Sequence, residues 1–348
     1  MKDKKKILLV DDSGFMRMVL SDMMSSYDDI EVIDTAENGK EAFEKTITNS
    51  PDVVLLDLTM KDYDGMYAIK HIMESKPTPI VILSSIRTTD PQVAIDALEA
   101  GAVDFLDKPT GLLSSKVREI SEQIYLKLKD ALKIDIQNVK KNKKINHVNF
   151  AHSFESDLPF KILTIGASTG GTGAIEQILL NFPSNFPLPI VIAQHIPNEF
   201  VSSFAKRLSE TCQKNVVTAF ENDIIKPGFV YVLKADSNMK VSKSLNGLCS
   251  FKCTSQHFKE FNHPSVDCLF ESVAESFGAT AMGVLLTGMG KDGALGLKKI
   301  SEQGGFTLAQ DEKSSIVWGM PKAAIELGAA KHIVPLNEIS NFIVSAIC

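Results

Sequence analysis

Short apolar runs alternate with amphipathic stretches over the first third of the chain. Five such runs, each bounded by acidic residues, Gly or Pro, are Ile7–Val10, Ile30–Ile33, Val53–Leu56, Ile80–Leu83 and Val103–Leu106. Runs of this length are typical of buried parallel strands, and the segments between them are long enough for crossover helices. The pattern therefore predicts an N-terminal α/β domain with a doubly wound, five-stranded sheet.

A second alternating block begins at Lys161 and runs to the C-terminus. Its predicted strands are Ile162–Ile165, Ile190–Ala193, Val216–Ala219, Val230–Leu233 and Met282–Thr287. A helix is predicted from about Gly171 to Leu180, directly after the first of these strands. We expect this block to be a second α/β domain with a mainly parallel sheet.

The segment between the two blocks differs from both in composition. Apolar residues recur at helical spacing from Ser115 to about Asp135, and a polar tract then runs to Pro159. Four lysines lie in this tract, at Lys140, Lys141, Lys143 and Lys144. No aromatic residue lies among them, so a solvated linker is favoured over a nucleic-acid or lipid contact. The predicted organisation is a first domain at 1–112, a linker with a helical start at 113–158, and a second domain at 159–348.

Length, charge and cysteine content narrow the class of protein. A chain of 348 residues exceeds the size at which single cores stop growing, which favours two domains. The net charge of -6 argues against nucleic acid as the main partner. The apolar stretch after the basic start is too short for a signal peptide, and no membrane insertion is expected. Five cysteines without a CxxC pair indicate free thiols in a reducing cytoplasm.

Polar side chains follow four of the five predicted N-terminal strands. Asp11 and Asp12 come directly after the first strand, and Asp57 comes directly after the third. Because ligands bind at the carboxyl edge of a parallel sheet, the three carboxylates are expected to converge there, and clustered oxygens suit Mg²⁺. Ser84 and Lys108 follow the fourth and fifth runs, so they add a hydroxyl and an ammonium group to the same edge.

This pattern resembles the response-regulator receiver domain over the whole first block. The matching motifs are Asp11–Asp12, Asp57 with Asp64–Gly65 downstream, Ser84–Ser85 and Lys108–Pro109. The resemblance implies that Asp57 accepts a phosphoryl group from a histidine kinase. It also implies that Asp12 binds Mg²⁺ together with Asp57, assisted by Asp11 and by the backbone carbonyl of Thr59.

The same resemblance gives roles to the two remaining groups at this edge. Ser84 is expected to be the switch hydroxyl and Lys108 the partner of the phosphate. The Asp57 carboxylate would attack phosphorus as the nucleophile, while the metal neutralises charge on the phosphoryl oxygens. One position departs from the pattern, because Lys61 stands where receivers commonly have Pro.

A glycine-rich segment in the second block carries a candidate nucleophile. The residues Gly166–Gly171, of sequence GASTGG, follow a predicted strand and precede a predicted helix. They satisfy the G-x-S-x-G pattern, in which a sharp turn exposes the Ser hydroxyl near a helix N-terminus. Such a turn can also hold a phosphate, but no Walker lysine and no complete G-x-G-x-x-G accompanies it. Ser168 is therefore the candidate nucleophile.

A serine hydrolase also needs a base and an orienting acid. Among seven histidines, His195 lies just after a predicted strand, at the edge where Ser168 is expected. Asp292 lies between glycines, just past the strand that ends at Thr287. The order Ser, His, Asp differs from that of α/β-hydrolases and of the two serine protease folds. From these residues alone, a catalytic triad and a merely structural His and turn Asp both remain open.

Several motifs resemble those of the CheB family of chemotaxis protein-glutamate methylesterases. They are Gly166–Gly171, Gln194–Pro197, His263–Asp267, Leu286–Gly290, Ala309–Glu312 and Gly319–Pro321. The resemblance implies phosphorylation-activated hydrolysis of glutamate methyl esters, and often deamidation of glutamines, on chemoreceptor cytoplasmic domains. It makes Ser168 the nucleophile, His195 the base and Asp292 the orienting acid. Thr169 and Met289 would line the site, with the Met289 backbone N–H as a candidate oxyanion donor.

The resemblance implies Mg²⁺ for the receiver, no cofactor for the hydrolase and a cytoplasmic location. The segment 234–239 departs from the family, which usually has a Pro-Gly turn and a His there. Two alternatives stay open, namely a receiver-gated binding module and a generic small-molecule esterase. A DNA-binding output is disfavoured by the acidic charge and by the lack of a helix-turn-helix candidate after Pro159.

Overall fold

The computed structural model describes residues 4–85, 89–108, 114–134, 136, 158–258 and 263–348. The chain divides into two compact units, Met1–Lys140 and Lys141–Cys348. Both units are α/β, as the alternation of apolar runs predicts. The lysine tract predicted as a linker lies outside the described residues.

The first unit is built on a five-stranded parallel sheet. Its strands are β1 Lys5–Val10, β2 Ile30–Ala36, β3 Val53–Leu56, β4 Ile80–Ser84 and β5 Asp104–Asp107. The strand order is β2-β1-β3-β4-β5, which is a doubly wound order with its switch point between β1 and β3. The helices are α1 Gly14–Ser25, α2 Gly39–Asn49, α3 Gly65–Ser75, α4 Pro91–Ala100 and α5 Ser114–Ala131. The predicted N-terminal fold class is confirmed.

Helix α5 lies in the segment that the sequence assigned to the start of the linker. Ile124, Leu128 and Ala131 recur at helical spacing and are buried, because α5 packs against β3, β4 and β5. The ring of Tyr125 stacks on Tyr27 at 3.8 Å between centroids. From the sequence, this apolar spacing predicted a helix and nothing about its packing. In the structure it attaches α5 to the first unit.

The second unit is built on a seven-stranded parallel sheet of order β14-β13-β12-β6-β7-β9-β8. Its strands are β6 Ile162–Ala167, β7 Ile190–Gln194, β8 Asn215–Thr218, β9 Phe229–Val232, β12 Ala281–Leu285, β13 Phe306–Gln310 and β14 His332–Val334. The strands β10 Asn238–Lys243 and β11 Cys249–Thr254 form a separate antiparallel pair. The five predicted strands are present, and the β10–β11 pair, β13 and β14 are additional to the prediction.

Helices surround the second sheet. They are α6 Gly171–Asn181, α7 Asn198–Cys212, α8 Val266–Phe277, α9 Ala294–Glu302, α10 Met320–Glu326 and α11 Leu336–Ile347. The α8 side chains Leu269, Phe270 and Val273 are fully buried in a core that also contains Phe251 of β11 and Leu297 of α9. This packing anchors the N-terminus of α8 close to the carboxyl end of the sheet. No helix in the described parts of the chain is long and apolar enough to cross a membrane.

Candidate functional site

The three N-terminal acids meet at the carboxyl edge of the first sheet. Single side-chain oxygens of Asp11, Asp12 and Asp57 all lie within 4.8 Å of one another. They converge because β1 and β3, which precede them, are adjacent parallel strands. Asp11 and Asp57 are buried, whereas Asp12 is exposed. The Thr59 N–H donates to Asp57 Oδ1 over 3.2 Å. An all-oxygen donor set of this kind fits a hard divalent cation such as Mg²⁺.

A hydroxyl and an ammonium group complete this edge, at the ends of β4 and β5. The Ser84 hydroxyl donates to Asp57 Oδ1 over 2.5 Å. The Lys108 ammonium pairs with Asp57 and lies 2.8 Å from Asp11 Oδ2. Burial disfavours the charged form of Lys108, but the two carboxylates outweigh it and raise the pKa of the ammonium. Burial raises the pKa of Asp11. The edge thus holds a lysine that stays charged beside the candidate phosphoacceptor.

Ser168 occupies the turn between β6 and α6 in the second unit. Its N–H donates to Thr287 O over 3.0 Å, and its carbonyl accepts from the Gly171 N–H and from Gln194 Nε2, each over 2.8 Å. Gly170 has a φ of +75°, a left-handed conformation that favours glycine and lets the chain reverse sharply. The Ser168 backbone is therefore held at the carboxyl edge, beside a helix N-terminus.

His195 lies beside this turn because β7, which it follows, pairs with β6. Its N–H donates to Ala167 O over 3.0 Å, and its ring Nε2 lies 2.9 Å from Asp292 Oδ2. Nδ1 is the ring nitrogen that remains for Ser168. Within the described part of the chain, no hydrogen bond joins the Ser168 hydroxyl to His195. Such bonds often form only when substrate is bound.

Asp292 is fully buried and has four hydrogen-bonding partners. Its Oδ1 accepts from the Ser265 hydroxyl at 3.0 Å and from the Asp267 N–H at 2.9 Å. Its Oδ2 accepts from the Val266 N–H at 2.7 Å, in addition to the His195 ring. Burial alone would raise the pKa of Asp292, but His195 and these N–H groups outweigh it and the pKa is lowered. The N-terminus of α8 therefore holds a carboxylate that stays ionised.

The loop after β12 borders the Ser168 turn. A Cβ on Gly288 would lie 2.7 Å from the Cβ of Ser168, so a residue with a side chain at 288 would displace the turn. Met289 is half-buried, and no residue in the described part of the chain accepts its backbone N–H. Thr169 is buried next to Ser168. The predicted lining residues are thus brought to one place, with a free N–H donor at Met289.

Sequence reasoning gave no role to several buried polar residues that hold this site. Gln310 Oε1 accepts from the Thr287 N–H, and Gln310 Nε2 donates to Ser314 O, each over 2.8 Å. Asn238 Oδ1 accepts from the Ser265 N–H over 2.7 Å. Gln310 and Ser265 lie within the motifs that carry the family resemblance. Asn238 lies in the segment 234–239, which departs from the family pattern, so no motif pointed to it.

One α/β unit has a receiver-like carboxylate site, and the other has a serine turn beside a His–Asp pair. Together they indicate a hydrolase that is linked to a receiver domain. The CheB methylesterase family model matches residues 163–343, and the response regulator receiver domain model matches residues 7–117. This chain belongs to the CheB methylesterase family.

Curated relatives and a solved structure agree with that membership. Two relatives are named protein-glutamate methylesterase/protein-glutamine glutaminase. The one from Thermotoga maritima is 37% identical to this chain over 96% of each chain, and the one from Archaeoglobus fulgidus is 39% identical over 97% of each. The relative of that name in Sulfurimonas denitrificans is 41% identical over 96% of each chain. The crystal structure of the Thermotoga maritima CheB methylesterase catalytic domain matches with a TM-score of 0.52 and 37% identity. It covers 54% of this chain and 99% of that one.

Proposed function

We propose that this chain hydrolyses glutamate methyl esters on chemoreceptor cytoplasmic domains and is activated by phosphorylation of Asp57. The observation that carries the proposal is the buried His195–Asp292 pair beside the Ser168 turn, in a chain of this family. We assign hydrolysis to residues 159–348 and phosphorylation to the first unit. The names of the relatives couple methylesterase with glutaminase, so deamidation of receptor glutamines is proposed for the same site.

In the proposed reaction, His195 Nδ1 takes the proton of the Ser168 hydroxyl as Ser168 Oγ attacks the ester carbonyl carbon. Asp292 stabilises the imidazolium that forms, and the Met289 N–H stabilises the negative carbonyl oxygen. The carbon–oxygen bond to methoxide then breaks, and His195 returns its proton so that methanol leaves. The product of this first half is a glutamyl ester of Ser168.

The second half of the reaction repeats these roles with water. His195 takes a proton from water as the water oxygen attacks the glutamyl ester. The bond to Ser168 Oγ breaks, the proton returns to Ser168, and the receptor keeps a free glutamate carboxylate. In deamidation the leaving group is ammonia instead of methanol. No cofactor takes part in this proposed route.

Phosphorylation is proposed at the edge of the first sheet. The Asp57 carboxylate attacks phosphorus of a phosphohistidine on a histidine kinase, and the histidine nitrogen leaves. Mg²⁺ held by Asp11, Asp12, Asp57 and the Thr59 carbonyl would offset negative charge on the phosphoryl oxygens. Lys108 and Ser84 then bind the phosphoryl group, which carries a charge of about -1.5 to -2 in place of the single negative charge of the carboxylate. The proposed location is the cytoplasm, where these partners act.

Mass spectrometry of receptor peptides tests the proposed chemistry. Incubation of methylated receptors with the full-length chain should convert glutamate methyl esters, and target glutamines, to glutamate. The Ser168→Ala variant should leave both kinds of residue unchanged. A receiver-gated binding module would bind the receptors and leave every methyl ester intact, which would reject the proposal.

A further inference from the structure

Ser265 precedes α8 and holds one oxygen of the Asp292 carboxylate. Its side chain is only 2% exposed. The Ser265 oxygen accepts the Cys268 N–H at 3.2 Å and lies 3.0 Å from Asp292 Oδ1. An N–H can only donate and a carboxylate can only accept, so the hydroxyl proton of Ser265 is directed at Asp292. A single hydroxyl therefore caps the helix and fixes the orienting acid.

Ser265 is itself held from the other side by Asn238 at the start of β10. The buried Asn238 Oδ1 accepts the Ser265 N–H over 2.7 Å. Asn238 belongs to the segment 234–239, where this chain departs from the family pattern. A continuous series of short contacts thus runs from Asn238 through Ser265 and Asp292 to His195.

We propose that Ser265 is a positioning residue for the hydrolase, and this proposal rests on the proposed triad. The Ser265 hydroxyl and the Asp267 N–H hold Oδ1 of Asp292, so Oδ2 stays directed at His195 Nε2. Without the hydroxyl, Oδ1 keeps one donor in a site closed to water. The carboxylate then turns about its last side-chain bond, and the imidazolium loses part of its stabilisation. The transition state is therefore less stabilised, whereas the affinity for substrate is unchanged.

Ser265 could affect activity by capping α8 or by orienting Asp292, and the choice of substitution separates these two roles. Gly is nearly as good an N-cap as Ser, whereas Ala is not. Ser265→Gly therefore keeps most of the cap and removes the donor to Asp292. A matched control is Ser272→Ala on the same helix, since Ser272 is also buried. Within the described part of the chain, its hydroxyl bonds only backbone groups, the Val241 N–H and the Leu269 carbonyl.

The test measures methanol release from methylated receptor membranes by the full-length chain with Mg²⁺ and a phosphodonor. We expect kcat of Ser265→Gly and Ser265→Ala to fall roughly 10–100-fold, by analogy with the loss seen when a hydrogen bond that orients a metal ligand is removed. KM should change by no more than about 2-fold, because the lost interaction is made in the transition state. Ser272→Ala should keep the kcat of the wild type.

Two results would overturn the proposal. The first is a wild-type kcat in Ser265→Gly. The second is an equal loss of kcat in Ser272→Ala and the Ser265 variants, which would attribute the loss to helix stability. Ser168→Ala is measured in parallel to separate this proposal from the proposed function. Turnover by Ser168→Ala rejects the triad, whereas an inactive Ser168→Ala with an unaffected Ser265→Gly rejects the role of Ser265 alone.

Discussion

The Asp292 carboxylate is an expensive group to bury, since an unpaired charge away from water is strongly destabilising. The N-terminus of α8 meets this cost with two backbone N–H groups and one hydroxyl. Both oxygens are thereby occupied, and the carboxylate keeps its charge next to His195. The same charge stabilises the imidazolium that forms during proton transfer.

The nucleophile and the base should act as one unit. Ser168→Ala is expected to abolish ester hydrolysis, and His195→Ala to lower it by roughly 10³-fold or more, because each removes the same proton-transfer step. The double variant should then be no slower than Ser168→Ala. Steady-state methanol release from the three variants checks this. Losses that multiply in the double variant would contradict a shared mechanism.

A second acid in the site should make stability depend on pH. Burial, together with the nearby Asp292 and Glu271 carboxylates, raises the pKa of Asp267 from 3.8 to about 7. Between those two values the folded chain holds a proton that the unfolded chain releases, so stability falls as pH rises from 3.8 to about 7.

Asp267→Asn removes this titration and should keep the contact with the Gly296 N–H. The Tm of the variant relative to that of the wild type should therefore rise from pH 5 to pH 8, because only the wild type loses stability as the pH approaches about 7. Thermal unfolding followed by circular dichroism measures the difference. A difference that is the same at both pH values would contradict the raised pKa.

The sequence predicted the candidate catalytic residues, which lie at strand ends, but not the residues that hydrogen-bond to them. Ser168, His195 and Asp292 each follow an apolar run, so a parallel sheet alone brings them to one edge. Ser265 reaches Asp292, and Asn238 reaches Ser265, only through the packing of α8 against α9 and β10. Sequence spacing carries no information about that contact.

At the scale of secondary-structure elements, the packing of α5 against the sheet of the first unit can be tested directly. Leu128 is fully buried under the sheet, whereas Leu126 on the same helix is 42% exposed. Leu128→Ala should lower the free energy of unfolding of this unit by about 2–5 kcal/mol. Leu126→Ala, the matched control, should change it by no more than about 0.5 kcal/mol. Chemical denaturation measures both, and equal effects would contradict the packing of α5 on this unit.

The strands that the sequence did not predict carry polar residues whose burial depends on distant partners. In β13, the Thr307 hydroxyl donates to Ala329 O over 2.7 Å, and Gln310 bonds Thr287. In the β10–β11 pair, Lys240 faces Lys252, so the apolar alternation is short and weak. The hydrogen bonds of Thr307 and Gln310 to other protein groups replace bonds to water only when the chain folds, so a hydrophobic pattern does not reveal these strands.

At the scale of the whole molecule, phosphorylation and hydrolysis are expected to be coupled. Asp57→Asn should block activation by a small phosphodonor with Mg²⁺ and leave basal hydrolysis unchanged, because the amide cannot accept the phosphoryl group. Asp28→Asn changes an exposed acid of the same unit and should still be activated. Methyl ester hydrolysis by the two variants, with and without phosphodonor, measures the coupling. Activation of Asp57→Asn would contradict Asp57 as the acceptor.

Removal of the receiver tests the sign of this coupling. If the unphosphorylated receiver restrains the hydrolase, a chain lacking residues 1–156 should hydrolyse receptor esters faster than the unphosphorylated full-length chain. Initial rates at equal concentrations check this. A truncated chain that is no faster would mean that the receiver stimulates or targets the hydrolase instead of restraining it.

Methanol release from methylated chemoreceptor membranes tests the central claim most directly. The full-length chain is measured with and without a phosphodonor and Mg²⁺, beside Ser168→Ala as the matched control. We expect slow release by the unphosphorylated chain, faster release after phosphorylation, and none by Ser168→Ala under either condition. Receptor binding without methanol release, or release that persists in Ser168→Ala, would contradict the assignment of this chain as a methylesterase that uses Ser168.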